Sequence, residues 1–409
     1  MKKLFALGIA AFLLLLVSCP DSEASKSGSD NEPMTDKTAY EYFQDINLGI
    51  NTGNTLDAHK NGVSGETLWS NRKISQKLFD GFKKSGLDIV RVPVTWIGHI
   101  GPAPDYKLDT VLLERVAEVV GYAKNANIKI IINIQHDGDS MYNSNAACWL
   151  LIRKILQGQN KEEQDAIKAG ITDEFVKVWA QIAERFKDYG DYLIFEPFNE
   201  LHDGRWGLDP AKELYDIINE WNQAFVDTVR ASGGKNARRF LLVVPYNTSI
   251  VALNTDKFVM PKDSEPNRLI VSFHYYRPNN FVLYGMVTDW DTPENRGEIT
   301  DYFSNLKNKY TDNKIPVLMG ENGPVLSALK DDDRVTADAN SIKYIEFLYG
   351  EAKKNGIIPL YWDNGVFDRK ADNYGRSESF GLFNRQTGEP SYYEDHFTKV
   401  LKAMVDVFK

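Results

Sequence analysis

Cysteine is scarce: Cys19 and Cys148 are the only two in 409 residues. That excludes a disulfide-stapled scaffold, so the fold has to rest on a large hydrophobic core. Long apolar runs are equally scarce. Residues 4–17 form the one extended stretch, which is too short to stay in a bilayer as a spanning helix. Positive charge is in deficit, with 48 Lys and Arg against 57 Asp and Glu and a formal net charge of -9. Nucleic acid and other anionic polymers are poor partners for such a surface. The six histidines show no metal-ligand spacing. Internal repeats are absent, and low complexity is confined to a short N-terminal segment.

What is present begins with a leader. Lys2 and Lys3 precede the apolar run, and Ser18-Cys19 follows it. A basic start, a short apolar stretch and small residues at the cut describe a signal peptide over residues 1–18. The cysteine directly after Ser18 resembles a bacterial lipobox. That resemblance implies cleavage before Cys19, lipidation of its thiol, and export to a membrane, the outer membrane or the cell surface. Cys148 would then have no partner for an intrachain disulfide. From residue 19 to 37 the chain is a lipidated cysteine and a Ser-, Asp- and Glu-rich tether without apolar periodicity.

Residues 38–409 read as one catalytic domain. Short apolar, β-branched runs recur at 46–50, 87–92, 128–134, 192–198, 240–244, 269–273, 315–319 and 357–361. Helical spacing of apolar residues fills the intervals at 74–85, 111–125, 173–189, 212–232, 296–310 and 339–355, with only a remnant at 250–254. Gly86, Gly233 and Gly356 stand where helices should stop. Continuous apolar strands alternating with helices predict a parallel sheet covered on both faces. Eight such units predict an α/β fold, the closed (β/α)8 TIM barrel.

Barrel active sites lie at the C-terminal ends of the strands. Those ends carry Asn51 and Asn54, Arg91, Gln135-His136-Asp137, Asn199-Glu200, Tyr246, His274 and Tyr276, Glu321, and Trp362. Glu200 and Glu321 face each other across the ring. Cleaving a glycosidic bond needs a protonated carboxylic acid for the leaving oxygen and an ionised partner across the sugar. Sugars are neutral and present flat apolar faces, which suits an acidic chain with 12% aromatic residues.

The runs Phe195-Glu196-Pro197-Phe198-Asn199-Glu200 and Met319-Gly320-Glu321-Asn322-Gly323 resemble the two catalytic signatures of glycoside hydrolase family 5. Arg91 to Trp96, His274-Tyr275-Tyr276 and Tyr361 to Gly365 are similar to its other blocks. Gly53 to Ala58 and Glu66 to Trp69 resemble a branch of bacterial endoglucanases, lichenases and xyloglucanases. The resemblance implies Glu200 as general acid/base and Glu321 as nucleophile of a retaining double displacement. It implies Asn199 on the 2-hydroxyl of the sugar, Arg91 and Tyr276 on Glu321, and His274 beside the acid/base. Trp362 would stack under the sugar, and Asn54, Gln135 and His136 would contact it. Where the resembling branch commonly has two consecutive histidines, this chain has Gln135-His136; the amide donates and accepts hydrogen bonds but carries no charge.

Trp206 and Trp290, in the loops after strands four and six, are candidate platforms for more distant sugars. Trp179 and Trp221 are expected in the core, and Asp331-Asp332-Asp333 in a solvated turn. The resemblance implies no cofactor and no metal. The expected partner is a β-linked polysaccharide: cellulose, mixed-linkage glucan or xyloglucan. The membrane is met only through the lipid, and a monomer suffices. A β-mannanase of the same family and a glycan-binding lipoprotein without catalysis are the alternatives; the retained glutamates speak against the second.

Overall fold

The computed structural model describes residues 33–138, 147–204, 210–391 and 395–409. Cys19, the leader, most of the tether and Trp206 lie outside the described residues. Eight parallel strands close a barrel: β1 (Gly49–Asn51), β2 (Ile89–Val92), β3 (Lys129–Ile132), β4 (Leu193–Phe195), β5 (Leu241–Val243), β6 (Leu269–Tyr275), β7 (Val317–Asn322) and β8 (Ile357–Tyr361). β1 closes the ring by pairing with both β8 and β2. The fold is the (β/α)8 barrel that the alternating pattern predicts.

Side chains alternate between the two faces of a strand, so every second residue points into the barrel. The lower interior is apolar: Ile89, Ile131, Ile194, Leu242, Ile270, Leu318, Ile358 and Leu360 form one buried cluster. Two residues further along, the same inward positions become Arg91, Asn133, Glu196 and Ser272, all buried. Another step reaches Gln135, His274 and Trp362. The intervening residues, such as Val90, Ile130, Phe195, Val271 and Met319, face the helices in the large outer core. Trp179 and Trp221 belong to that outer core.

The lower end is stoppered by the short helix Ala39–Phe43. Its capping box pairs Thr38 and Glu41, satisfying N-terminal backbone donors within the turn. Ala39, Phe43 and Ile46 join the apolar cluster at the barrel floor. Ile46 therefore belongs to this plug and not to the first strand, where its β-branched shape had suggested it. Tyr42 lies over Phe240, with ring centroids 4.7 Å apart.

Other departures have local causes. The helix expected from residue 173 begins at Lys161, where Asn160 accepts from the Glu163 amide and caps it. Asp331, Asp332 and Asp333 form the first turn of the helix Asp331–Asn355 and not a turn outside it. Carboxylates there complement the positive end of the helix dipole. The helix Asp395–Phe408 was not expected; it buries Phe397, Val400, Leu401 and Met404 and packs on the helix Asp331–Asn355. Gly356 ends that helix with φ 68°, the left-handed conformation a C-cap glycine adopts at little cost.

The floor cluster gives a stability prediction. Phe43→Ala should leave a cavity and cost about 3–5 kcal/mol in urea unfolding. Activity of the folded fraction should be unchanged, because the reactive end of the barrel is the opposite one. A loss below about 1 kcal/mol would show that the plug does not support the barrel.

Candidate active site

Arg91 stands at the centre of the upper barrel, fully buried. Its guanidinium has five N–H donors in a fixed planar fork. Nε donates to Glu196 Oε2 at 2.6 Å, and Nη1 to Glu321 Oε1 at 2.7 Å and Asn51 Oδ1 at 3.1 Å. Nη2 donates to Asn199 Oδ1 at 2.9 Å and Gln135 Oε1 at 3.1 Å. Burial alone would lower the Arg91 pKa, but the Glu196 and Glu321 carboxylates outweigh it and raise the value. Arg91 thus pairs with two carboxylates, the enclosed Glu196 and the candidate Glu321.

Glu321 reaches the interior through an irregularity in β7. Phe273 pairs with Met319, but His274 pairs with Glu321. On the other side, Pro359 pairs with Met319 and Tyr361 with Asn322. Gly320 is the extra residue against both neighbours, a bulge that reverses the alternation. A Cβ at Gly320 would lie 2.7 Å from Ser272 Oγ and 3.4 Å from His274 Nε2, so a larger residue there would have to displace the Ser272 hydroxyl. The ladder continues beyond the bulge, which places His274 and Glu321 inside strands and not after them.

Tyr276 donates its hydroxyl to Glu321 Oε2 at 3.0 Å. Burial, then the Glu321 and Glu200 carboxylates, push its pKa well above the ordinary value and keep it a donor. His274 Nδ1 lies 2.6 Å from Glu200 Oε1 and 3.6 Å from Glu321 Oε2. Glu200 is the more open carboxylate, with 24% of its side chain exposed against 7% for Glu321. Asn199 commits Oδ1 to Arg91, which leaves its NH2 group as a donor to a ligand.

Trp362 follows β8 and is partly exposed at the upper end of the barrel. A Cβ at Gly53 would come within 2.6 Å of its ring, so the glycine admits the indole against the backbone. The Gly53 amide donates to the Asp363 carbonyl at 2.9 Å. Asp363 is buried and paired with Arg385 at 3.0 Å, and it also accepts from the Gly365, Leu382 and Phe383 amides. This support for Trp362 was not anticipated; Asp363 lies in the block after β8, but its partner Arg385, 22 residues further on, sits at no strand end. Asn133 was missed as well, although its inward phase with Ile131 and Gln135 could have revealed it.

The remaining candidates divide. Asn54 takes a left-handed φ of 58° on the loop beside Trp362, held by its amide on Asp57. His136 lies 3.5 Å from Asp57, its ring 5.5 Å from those of Trp69 and His59, on the rim. Gln135 is 3% exposed and turns inward to Arg91, Asn133 and Glu321. Tyr246 is buried and braces the loop after β4 through Asp203. Trp290 is corrected: it is 1% exposed, with Nε1 donating to the Asn340 carbonyl and its ring against Tyr344 and Phe347. It is core and offers no platform, because the helix Asp331–Asn355 covers it. Cys148 is buried, its thiol 3.6 Å from the His136 carbonyl.

Among the described residues, Glu200, His274 and Glu321 form the one group with metal-ligand chemistry, their ligand atoms within 4.8 Å of one another. The short His274–Glu200 contact is hydrogen-bond geometry. Burial lowers the His274 pKa to about 4, against the pull of Glu321, so the imidazole is neutral near neutral pH. The unfolded chain takes up this proton near 6.5, so the His274 contribution to stability shrinks as pH falls through 6.5 toward 4. Nitrogen-15 magnetic resonance should show His274 neutral from pH 7 to 5 and titrating near 4. A midpoint near 6.5 would mean that the ring is solvated.

The geometry agrees with comparisons across known proteins. Residues 52–368 match the family described as Cellulase (glycosyl hydrolase family 5). An endoglucanase A of Paenibacillus barcinonensis is 32% identical, over 94% of each chain. A xyloglucan-specific endo-β-1,4-glucanase of Bacteroides ovatus is 33% identical, over 88% of this chain and 69% of its own. Among solved structures, a broad-specificity endoglucanase from Bacteroides salanitronis superimposes with TM-score 0.79 and 35% identity, covering 93% of this chain and 99% of that one. The matched span contains Arg91, Asn199, Glu200, His274, Tyr276, Glu321 and Trp362, and the chain is a glycoside hydrolase that belongs to glycosyl hydrolase family 5.

Proposed function

We propose that the protein is a retaining endo-β-1,4-glucanase, exported and held at a membrane by a lipid on Cys19. The observation that carries the mechanism is the separation of the carboxylates. One oxygen of Glu200 lies within 4.8 Å of one oxygen of Glu321, which leaves little room for a water between them. Retaining enzymes hold the pair about 5–5.5 Å apart, and inverting ones need about 6.5–9.5 Å for a water. Glu321, ionised and bonded by Arg91 and Tyr276, attacks the anomeric carbon. Glu200, open to the cleft, protonates the departing oxygen and then takes a proton from water. Asn199 offers its NH2 to the sugar 2-hydroxyl, and Trp362 supports the ring.

A β-glucan is favoured as substrate. The relatives named above act on glucans or xyloglucan, and an acidic protein suits a neutral polymer. The first described residues meet the lower end of the barrel. Thr35 is strapped there, its amide on Asp191 and its carbonyl accepting from Arg268.

Purified protein should lower the viscosity of a soluble β-1,4-glucan faster than it releases reducing ends; activity on mannan alone would reassign the substrate. Glu200→Ala should reduce turnover of the polymer roughly 10²- to 10⁴-fold. Azide should restore that variant on activated glycosides and give a product of retained configuration, whereas Glu321→Ala should be inactive on every substrate. Proton magnetic resonance of the first wild-type product should show the β-anomer, and an α-anomer would reject Glu321 as nucleophile. In cells, Cys19→Ala should shift the protein from the detergent phase to the soluble fraction or stall its processing. Unchanged partition of a correctly cleaved variant would remove the anchor.

A further inference from the structure

Gln135 has the geometry of a group that holds another in place. It is 3% exposed and follows Ile131 and Asn133 on the inward face continuing from β3. Its Oε1 accepts from Asn133 Nδ2 at 2.7 Å and from Arg91 Nη2 at 3.1 Å. Both donors are fixed. Asn133 is oriented by its own Oδ1, which accepts from the Val94 amide at 3.1 Å, so its NH2 must face Gln135. A guanidinium has no acceptor at all. Turning the Gln135 amide over would set its NH2 against the Asn133 NH2 and the Arg91 cation, and its oxygen against the Glu321 carboxylate. One orientation is allowed, and it directs Nε2 to Glu321 Oε1, 3.4 Å away.

We propose that Gln135 is a positioning residue for the nucleophile, with its amide N–H steering Glu321 Oε1, and not primarily a sugar ligand. Glu321 is then restrained by Arg91 and Gln135 on one oxygen and by Tyr276 on the other. The long contact to Glu321 is held from behind by two shorter bonds, so the amide sets a direction more than it adds attraction. An amide takes up no proton in the working range, and the contact stays the same on both sides of neutrality. The inference rests on the reading of Glu321 as nucleophile.

The test uses the purified chain and an activated 2-deoxy-2-fluoro β-glucoside, whose sugar is transferred to Glu321 as its leaving group departs. Intact mass reports the adduct and its rate of formation. Gln135→Leu should form the adduct roughly 10- to 100-fold more slowly, the loss that a misplaced reacting atom brings. KM on polymer should change less than about threefold, since a sugar contact would raise KM instead. Gln135→Glu sets a carboxyl against Glu321, and like charges raise one of the two pKa values. The acidic limb of its kcat/KM profile should therefore move to higher pH, which a merely structural defect would not do. Adduct formation at the wild-type rate in Gln135→Leu, with an unmoved acidic limb in Gln135→Glu, overturns the proposal. If Gln135→Leu fails to fold, the Gln135→Glu profile decides alone. If the wild type forms no adduct, the retaining reading fails, and the same profile still tests the contact with Glu321.

Discussion

A guanidinium buried among carboxylates and amides governs the upper half of this barrel. An unpaired ion there would cost several kcal/mol in lost hydration. Arg91 avoids that cost because each of its five N–H groups meets an oxygen. Those oxygens come from β1 and β7 and from the segments that follow β3 and β4. One cation therefore ties Asn51, Gln135, Glu196, Asn199 and Glu321 into a single arrangement. Lysine, with three donors and no planar fork, could not satisfy the same set.

The hub also separates the roles of the carboxylates. Glu196 is enclosed and bonded to Arg91, and it balances charge. Glu321 shares the same cation but shows an edge to the cleft and meets Tyr276. Glu200 has His274 as its partner, a ring that burial keeps neutral. Three glutamates near one another thus differ in partner, exposure and charge environment. Such differences let one carboxyl serve as acid while another stays ionised.

Much of the fold was legible because barrel strands, buried on both faces, must be apolar throughout. The eight strand runs and most helices lie where periodicity placed them. Boundaries moved where side-chain chemistry outweighed periodicity, as at the Asn160 cap. Trp290 was misjudged because a tryptophan in a segment between elements looks available to a ligand until a covering helix is seen. The Asp363–Arg385 pair escaped notice because Arg385 ends no strand, and only folding brings it to Asp363 behind Trp362.

Local sequence determined the barrel, the family and the placement of Glu200 and Glu321 at strand ends, since each follows from short-range patterns of residue type. The tertiary structure decided which way the key side chains point. Strict alternation from Leu318 turns Gly320 inward and Glu321 toward the helices. Pairing with β6 and β8 makes Gly320 a bulge and reverses that phase. The direction of Gln135 was decided in the same way, by Asn133 and Arg91 at its oxygen. A strand's register and an amide's orientation depend on neighbours distant in the chain, so no reading of the nearby residues could supply them.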